Sequence, residues 1–219
     1  MKRQKPNLSR QKIVDAALSM AAEATVDDIS IHRLAKQLAV TPMAIYRHFA
    51  NKADLQAEML DQFIIQADVM PEQYDDWQHW LHQLAEAMYR ALCEQPSWIP
   101  LFGRVHFKAG ALTVMDRSVG MLKTAGFDDA SAVAGFYGLI HCLIGAATQY
   151  SFFHREGGEA FSMLTLQKDA AVAQHYPHLA ALNKTAAPAS QLDLLASSLT
   201  PYLRGLSLTL TAQTSADLG

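Results

Sequence analysis

The sequence predicts an all-α fold in two parts, a three-helix head built around a helix-turn-helix and a larger helical body. Three observations carry this expectation. Apolar residues recur at helical spacing in one segment after another, and neither a strand nor an internal repeat is evident. Residues 30–52, SIHRLAKQLAVTPMAIYRHFANK, fall into two short helices around a tight turn. The charge is also split. Residues 1–52 carry nine Lys and Arg against four Asp and Glu, net +5, which leaves −8 on the rest of a chain whose total is −3. A basic head on an acidic body makes polyanion binding a local property.

Residues 1–8 form a basic arm with Pro6, readable either as a plain terminus or as an arm that lies along a phosphate backbone. Ser9 is the expected N-cap of the first helix, whose core stripe is Ile13, Ala16, Ala17, Met20 and Ala21. The next helix, over 31–38, has Ile31, Leu34, Ala35 and Leu38 on one face. After the turn at Ala39-Val40, Thr41 is placed to cap a second short helix, with Pro42 where a missing N–H costs nothing. Burying Ala44, Ile45 and Phe49 leaves Thr41, Met43, Tyr46, Arg47 and His48 outward. Such a polar, aromatic and basic face suits entry into a DNA major groove. A longer helix over 53–69, capped by Asn51, presents Leu55, Met59, Leu60, Phe63 and Ile64 and joins head to body, with Lys52 aimed at a phosphate. Pro71 and the acidic turn 72–76 mark the boundary, giving a head of residues 1–70 and a body of residues 71–219.

The body opens with an amphipathic helix over 76–94, followed by a proline-punctuated segment holding Trp98, Leu101 and Phe102. Leu112, Met115, Val119 and Leu122 define the next helix, which Gly126 stops. Residues 129–153 are apolar on nearly every side, with Gly135, Gly138 and Gly145, and a helix of that kind is expected to be buried on every side. A last helix, from 191 to about 211, carries Leu192, Leu195, Leu199, Leu203, Leu206 and Leu210. Between these two, residues 154–190 are expected to be irregular, with a short helix near 160–175.

At half hydrophobic and 18% charged, the chain can bury a sizeable core. It has no unbroken apolar run of membrane-spanning length and no signal-peptide pattern, so a soluble cytoplasmic protein without a membrane partner is expected. Cys93 and Cys142 lie in apolar helical contexts without metal spacing. Buried free thiols are the first reading, and a redox sensor is the second. Neither a metal nor a cofactor is expected: His79 and His82 lack further ligands at metal spacing, and Gly157-Gly158 stands alone. With no serine in a nucleophile-elbow string, an enzyme is not expected. The rival class is a helical enzyme or an adaptor with a helix-turn-helix-like start. A ligand cavity is expected among the body helices, lined by Trp80, Gln83, Met88, Trp98, Phe102, His106, Met115, Phe136, Tyr137, His141 and Gln149. His106, His141 and Gln149 count there as polar groups that need partners in apolar surroundings, a ligand being one candidate, while His141 beside Cys142 reads equally as a satisfied core or interface histidine.

Leu34-Ala35, Leu38, Val40, Thr41-Pro42, Ile45-Tyr46-Arg47-His48-Phe49 and Asn51-Lys52-Ala53-Asp54-Leu55 together resemble the TetR family of bacterial transcriptional regulators. Two departures stand out. Ala39 replaces a usual glycine in the turn, and the 24–29 link lacks one. If position 39 is left-handed, the methyl costs about 1 kcal/mol. Residues 77–153, followed by Tyr176-Pro177-His178-Leu179, resemble the C-terminal domain of the tetracycline-repressor type. The resemblance implies a homodimer whose four-helix bundle uses the last two major helices. It implies a palindromic double-stranded operator and a small-molecule effector that releases it, with repression commoner than activation. It also implies that Thr41, Tyr46, His48 and Lys52 contact phosphates, and that Pro42, Met43 and Arg33 contact base edges.

Overall fold

The computed structural model describes residues 8–154, 174–181 and 191–216, and these are helical throughout with no strand. Helix α1 (Arg10–Glu23) begins at Ser9, whose Oγ accepts the Lys12 N–H at 3.2 Å, and buries Ile13, Val14, Ala17 and Ala21. A 3-10 turn (Val26–Asp28) leads to α2 (Ile31–Gln37), capped in the same way by Ser30. Beyond α2 the Val40 N–H returns to the Ala35 carbonyl and the Ala39 N–H to Lys36, which closes the helix end with Ala39 at φ 53°. Position 39 is thus left-handed and carries a methyl. Gly126 ends a later helix with the same two bonds, to Leu122 and Lys123, at φ 105° and without that strain.

Helix α3 (Pro42–Tyr46) follows, then α4 (Lys52–Gln66), where the Asn51 side chain accepts the Asp54 N–H at 2.9 Å. The connecting helix stops earlier than position 69 because Asp68 turns left-handed, at φ 44°. The body comprises α5 (Trp77–Glu94), a 3-10 segment (Pro96–Gly103), α6 (Ala109–Thr124), α7 (Asp129–His154), a short α8 (Pro177–Ala180) and α9 (Gln191–Ala216). The short helix expected near 160–175 lies outside the described residues except for its last two positions, and of the basic arm only Leu8 is described.

Helix α7 is the centre of the body and packs against α5, α6 and α9. Its contact with α9 depends on small residues. The Tyr202 hydroxyl donates to the Gly135 carbonyl at 2.7 Å, and a Cβ on Gly138 would collide with the same phenol ring. Gln78 of α5 ties in as well, donating to the Leu203 carbonyl and to Ser207 Oγ. Pro201 sits inside α9 without ending it. In a single chain α7 is not buried on every side: Val133, Tyr137 and Phe152 form an exposed stripe, with Phe152 75% exposed. By length and composition it is the one described helix that could cross a membrane.

Candidate nucleic-acid interface and ligand cavity

Helix α3 has only five residues, too few to hold together alone, so packing must hold it. Ile45 and Phe49 are fully buried in a core shared with Ile13, Leu34 and Leu55. The opposite face is left to solvent, with Met43 67% and Tyr46 43% exposed and Thr41 and Arg47 beside them. Pro42 and His48 are half-buried at its two ends. Thr41 takes the extended N-cap conformation but makes no side-chain capping bond, so the helix does not use its hydroxyl.

Arg10 of α1 fixes the far end of this helix. Its guanidinium donates to Glu58 Oε2 at 2.8 and 3.2 Å, to Asp54 Oδ1 at 3.4 Å and to the His48 carbonyl at 2.5 Å, and it lies 4.2 Å from the centre of the Phe49 ring. One fork thereby joins α1, the end of α3 and the first turns of α4. Reading the sequence missed this role, counting Arg10 only as charge. Arg33 and Lys52, the two charged residues expected to meet DNA from outside α3, are both tied to the 3-10 turn. Arg33 donates to the Asp28 carbonyl at 3.0 Å and Lys52 to the Asp27 carbonyl at 2.9 Å. Carbonyls are neutral acceptors, so these bonds position both charges without neutralising them.

The segment 103–111 lies between head and body and faces both. On one side Arg104 pairs with Asp27 at 3.2 Å and Lys108 with Asp54 at 3.0 Å. On the same side Asp61, a carboxylate in mid-α4 only 5% exposed, accepts the Gly110 and Ala111 N–H groups at 3.1 and 2.9 Å. It thus caps α6 from another helix and answers two of its orphan donors. Glycine is needed at 110, since a Cβ would stand 2.7 Å from Ile65 and 3.0 Å from Asp61. Burial pushes the Asp54 carboxyl up. The Lys108 hydrogen bond, the Ala50 N–H and the charges of Lys108 and Arg10 outweigh that and hold it below its usual range.

On its other side the segment gives Gly103, Phe107 and Ala111 to a cavity of about 480 Å³. The remaining walls are apolar, among them Leu84, Met88, Met115 and Ile140, and α4 itself contributes Ile64. Among the described residues the polar groups on the lining are the Tyr137 phenol and the His141 imidazole, with no carboxylate beside them. Of the expected contacts, Met88, Phe102, Met115, Phe136, Tyr137 and His141 meet here. The others stand elsewhere. Trp98 is core, stacked on Phe63 of α4 at 4.9 Å and donating to Gln95 at 2.9 Å. Gln83 donates to the Gln73 carbonyl, and Trp80 lines a different cavity. His106 and Gln149 are exposed, not set in apolar surroundings. Ile64 and Phe107 were missed. The four-residue spacing of Gly103, Phe107 and Ala111 against Arg104 and Lys108 was the available signal for a two-sided segment.

Residues 70–208 match the family described as tetracyclin repressor-like, C-terminal domain, and residues 13–59 match the bacterial regulatory proteins of the tetR family. The chain is 25% identical over 154 residues to the class A tetracycline repressor from transposon 1721 of Escherichia coli, covering 69% of this chain and 71% of that one. It is 27% identical over 147 residues to a helix-turn-helix-type transcriptional repressor of Mycobacterium tuberculosis, covering 61% and 56%. The solved structure of the TetR-family protein ActR from Streptomyces coelicolor, in complex with actinorhodin, superposes with a TM-score of 0.80 at 19% identity, covering 93% of this chain and 98% of that one. The exposed face of α3, the cavity among the body helices and the match over most of the body lead to one assignment: the chain belongs to the TetR family of DNA-binding transcriptional regulators.

Proposed function

We propose that the protein is a cytoplasmic homodimeric repressor, that two copies of α3 grip a palindromic operator, and that a mainly apolar, aromatic small molecule in the 480 Å³ cavity releases it. The observation that carries this reading is the position of the cavity. Ile64 of the connecting helix forms part of its wall, and the 103–111 segment that lines it also holds the head through Asp27, Asp54 and Asp61. A ligand there cannot move its walls without moving the attachment of the head. Thr41, Tyr46, His48 and Lys52 are proposed to hold phosphates, and Pro42, Met43 and Arg33 to reach base edges.

The aromatic walls and lone pair of polar groups suit a flat molecule with an oxygen acceptor toward Tyr137 and His141. The binding of actinorhodin by ActR supports that class. We read the exposed stripe of α7 (Val133, Tyr137, Phe152) as the seat of a second copy and not of lipid, because His141 and Gln149 lie on the same open side. One phenol and one imidazole on an otherwise apolar lining serve binding and orientation, not catalysis.

The test has two steps. Selection from a random DNA pool should return an inverted repeat. A thermal-shift screen should then return ligands that stabilise wild type but fail on an Ile140→Trp variant with a filled cavity. Selection of a single half-site, or hits indifferent to Ile140→Trp, would remove the dimer or the cavity from the account.

A further inference from the structure

A second cavity, of about 610 Å³, opens where α4 ends, between the 68–74 link, the first turn of α5 and the middle of α6. Its size lies within the roughly 300–1,000 Å³ of small-molecule sites. It shares no lining residue with the apolar cavity, and its chemistry is different. Two carboxylates, Asp68 and Glu72, and one guanidinium, Arg117, border it with the Tyr74 phenol and the Trp80 indole.

None of these five side chains has a hydrogen-bond or ion-pair partner among the described residues. Opposite charges that line one cavity without pairing are each left open to a ligand. Trp80 is only 4% exposed, so its indole N–H is a buried donor without an acceptor among the described residues, a deficit that native structures rarely leave. Asp68 adds a further sign. It occupies the left-handed position after the last turn of α4, where glycine is the usual residue, and it brings a carboxylate there instead.

We propose that this cavity is a second ligand site, for a small zwitterion of the amino-acid or short-peptide class. The ligand carboxylate pairs with the Arg117 fork, the ammonium lies toward Asp68 and Glu72, and an apolar side chain rests on the Trp80 ring. A simple anion meets two carboxylates of its own sign, and a metal cation meets Arg117. A zwitterion satisfies both charges at once. Because Asp68 ends α4 and Arg117 belongs to α6, occupancy ties the end of the connecting helix to the body without involving the apolar cavity.

The test is a calorimetric and Trp-fluorescence titration of the full chain with L-tryptophan, L-phenylalanine and L-leucine, beside the N-acetyl and C-terminal amide form of each. At least one zwitterion should bind saturably, and blocking either end should weaken it tenfold or more. Arg117→Met should erase the difference between acid and amide. The double variant Asp68→Asn, Glu72→Gln should erase the difference between free and acetylated amine. All three positions are exposed, and asparagine tolerates the left-handed conformation, so melting curves should match wild type. Failure of every zwitterion to bind wild type, equal binding of the blocked forms, or variants that bind like wild type would each overturn the proposal.

Discussion

At position 39 the chain turns through a left-handed conformation with a methyl in place of glycine's hydrogen. Ala39→Gly relieves that strain but adds freedom to the unfolded chain, and the first effect is the larger. The expected result is a gain of roughly 0.5–1 kcal/mol, seen as a rise in the melting midpoint with unchanged operator affinity. A fall would mean that the turn is relaxed as it stands. The proposed recognition residues divide by their charge. Lys52 keeps an unneutralised charge on a carbonyl anchor, so Lys52→Ala should weaken binding to all sequences alike and flatten the salt dependence by about one unit. Met43 has no such charge, and Met43→Ala should change preference at one base position per half-site. If both variants bind like wild type across a salt series, α3 is not the reading element. The outward face was legible in the sequence because Ile45 and Phe49 leave Met43 and Tyr46 only one direction to take. Arg10 was not, since its partners His48, Asp54 and Glu58 lie 38 to 48 positions away.

Among the elements, the junction of α4 with α6 bears most on function. Asp61→Ala leaves two N–H groups at the start of α6 without an acceptor, at a cost of about 1–3 kcal/mol. Asp61→Asn, which keeps one acceptor, should cost less. Equal melting of both variants and wild type would show that the carboxylate carries no structural weight. The neighbouring clamp gives the junction a pH dependence. Asp54 is held below its unfolded value, near 3.9, so its contribution is fully present above about pH 4 and is lost as pH falls through the lowered folded value. The acid-side slope of stability should therefore shrink in Asp54→Asn, and an unchanged slope would count against the clamp. Helix positions could be read from periodicity, down to the stop at Gly126. Which side of each helix meets a void could not, because Trp98 reads like a ligand contact in sequence and is instead stacked on Phe63. The end of α4 at Gln66 was hidden for a related reason, since nothing in the apolar pattern announces a left-handed Asp68.

For the whole molecule, α7 is the helix on which the proposed dimer rests. Its sequence called for burial on every side, yet among the described residues Val133, Tyr137 and Phe152 stay exposed beyond the sides that α5, the 3-10 segment, α6 and α9 cover. Gly145 separates assembly from folding: it is exposed, and a Cβ added there meets no atom within 4 Å. Gly145→Glu should leave the fold intact and shift sedimentation from dimer to monomer. Leu203 is buried within the chain and would confound the two. A dimer unchanged by Gly145→Glu would move the interface elsewhere.

The central claim is that the apolar cavity and the recognition helices share one free energy. A ligand that favours the released conformation needs only about 1.4–2.8 kcal/mol of coupling to weaken DNA binding 10–100-fold, and operator DNA must weaken the ligand by the same factor. The direct measurement is operator affinity across a titration of a ligand whose binding is lost in Ile140→Trp, with the reverse titration on the DNA complex. Equal factors of about 10–100 are expected in both directions. A ligand that saturates the cavity while operator affinity stays unchanged would contradict it.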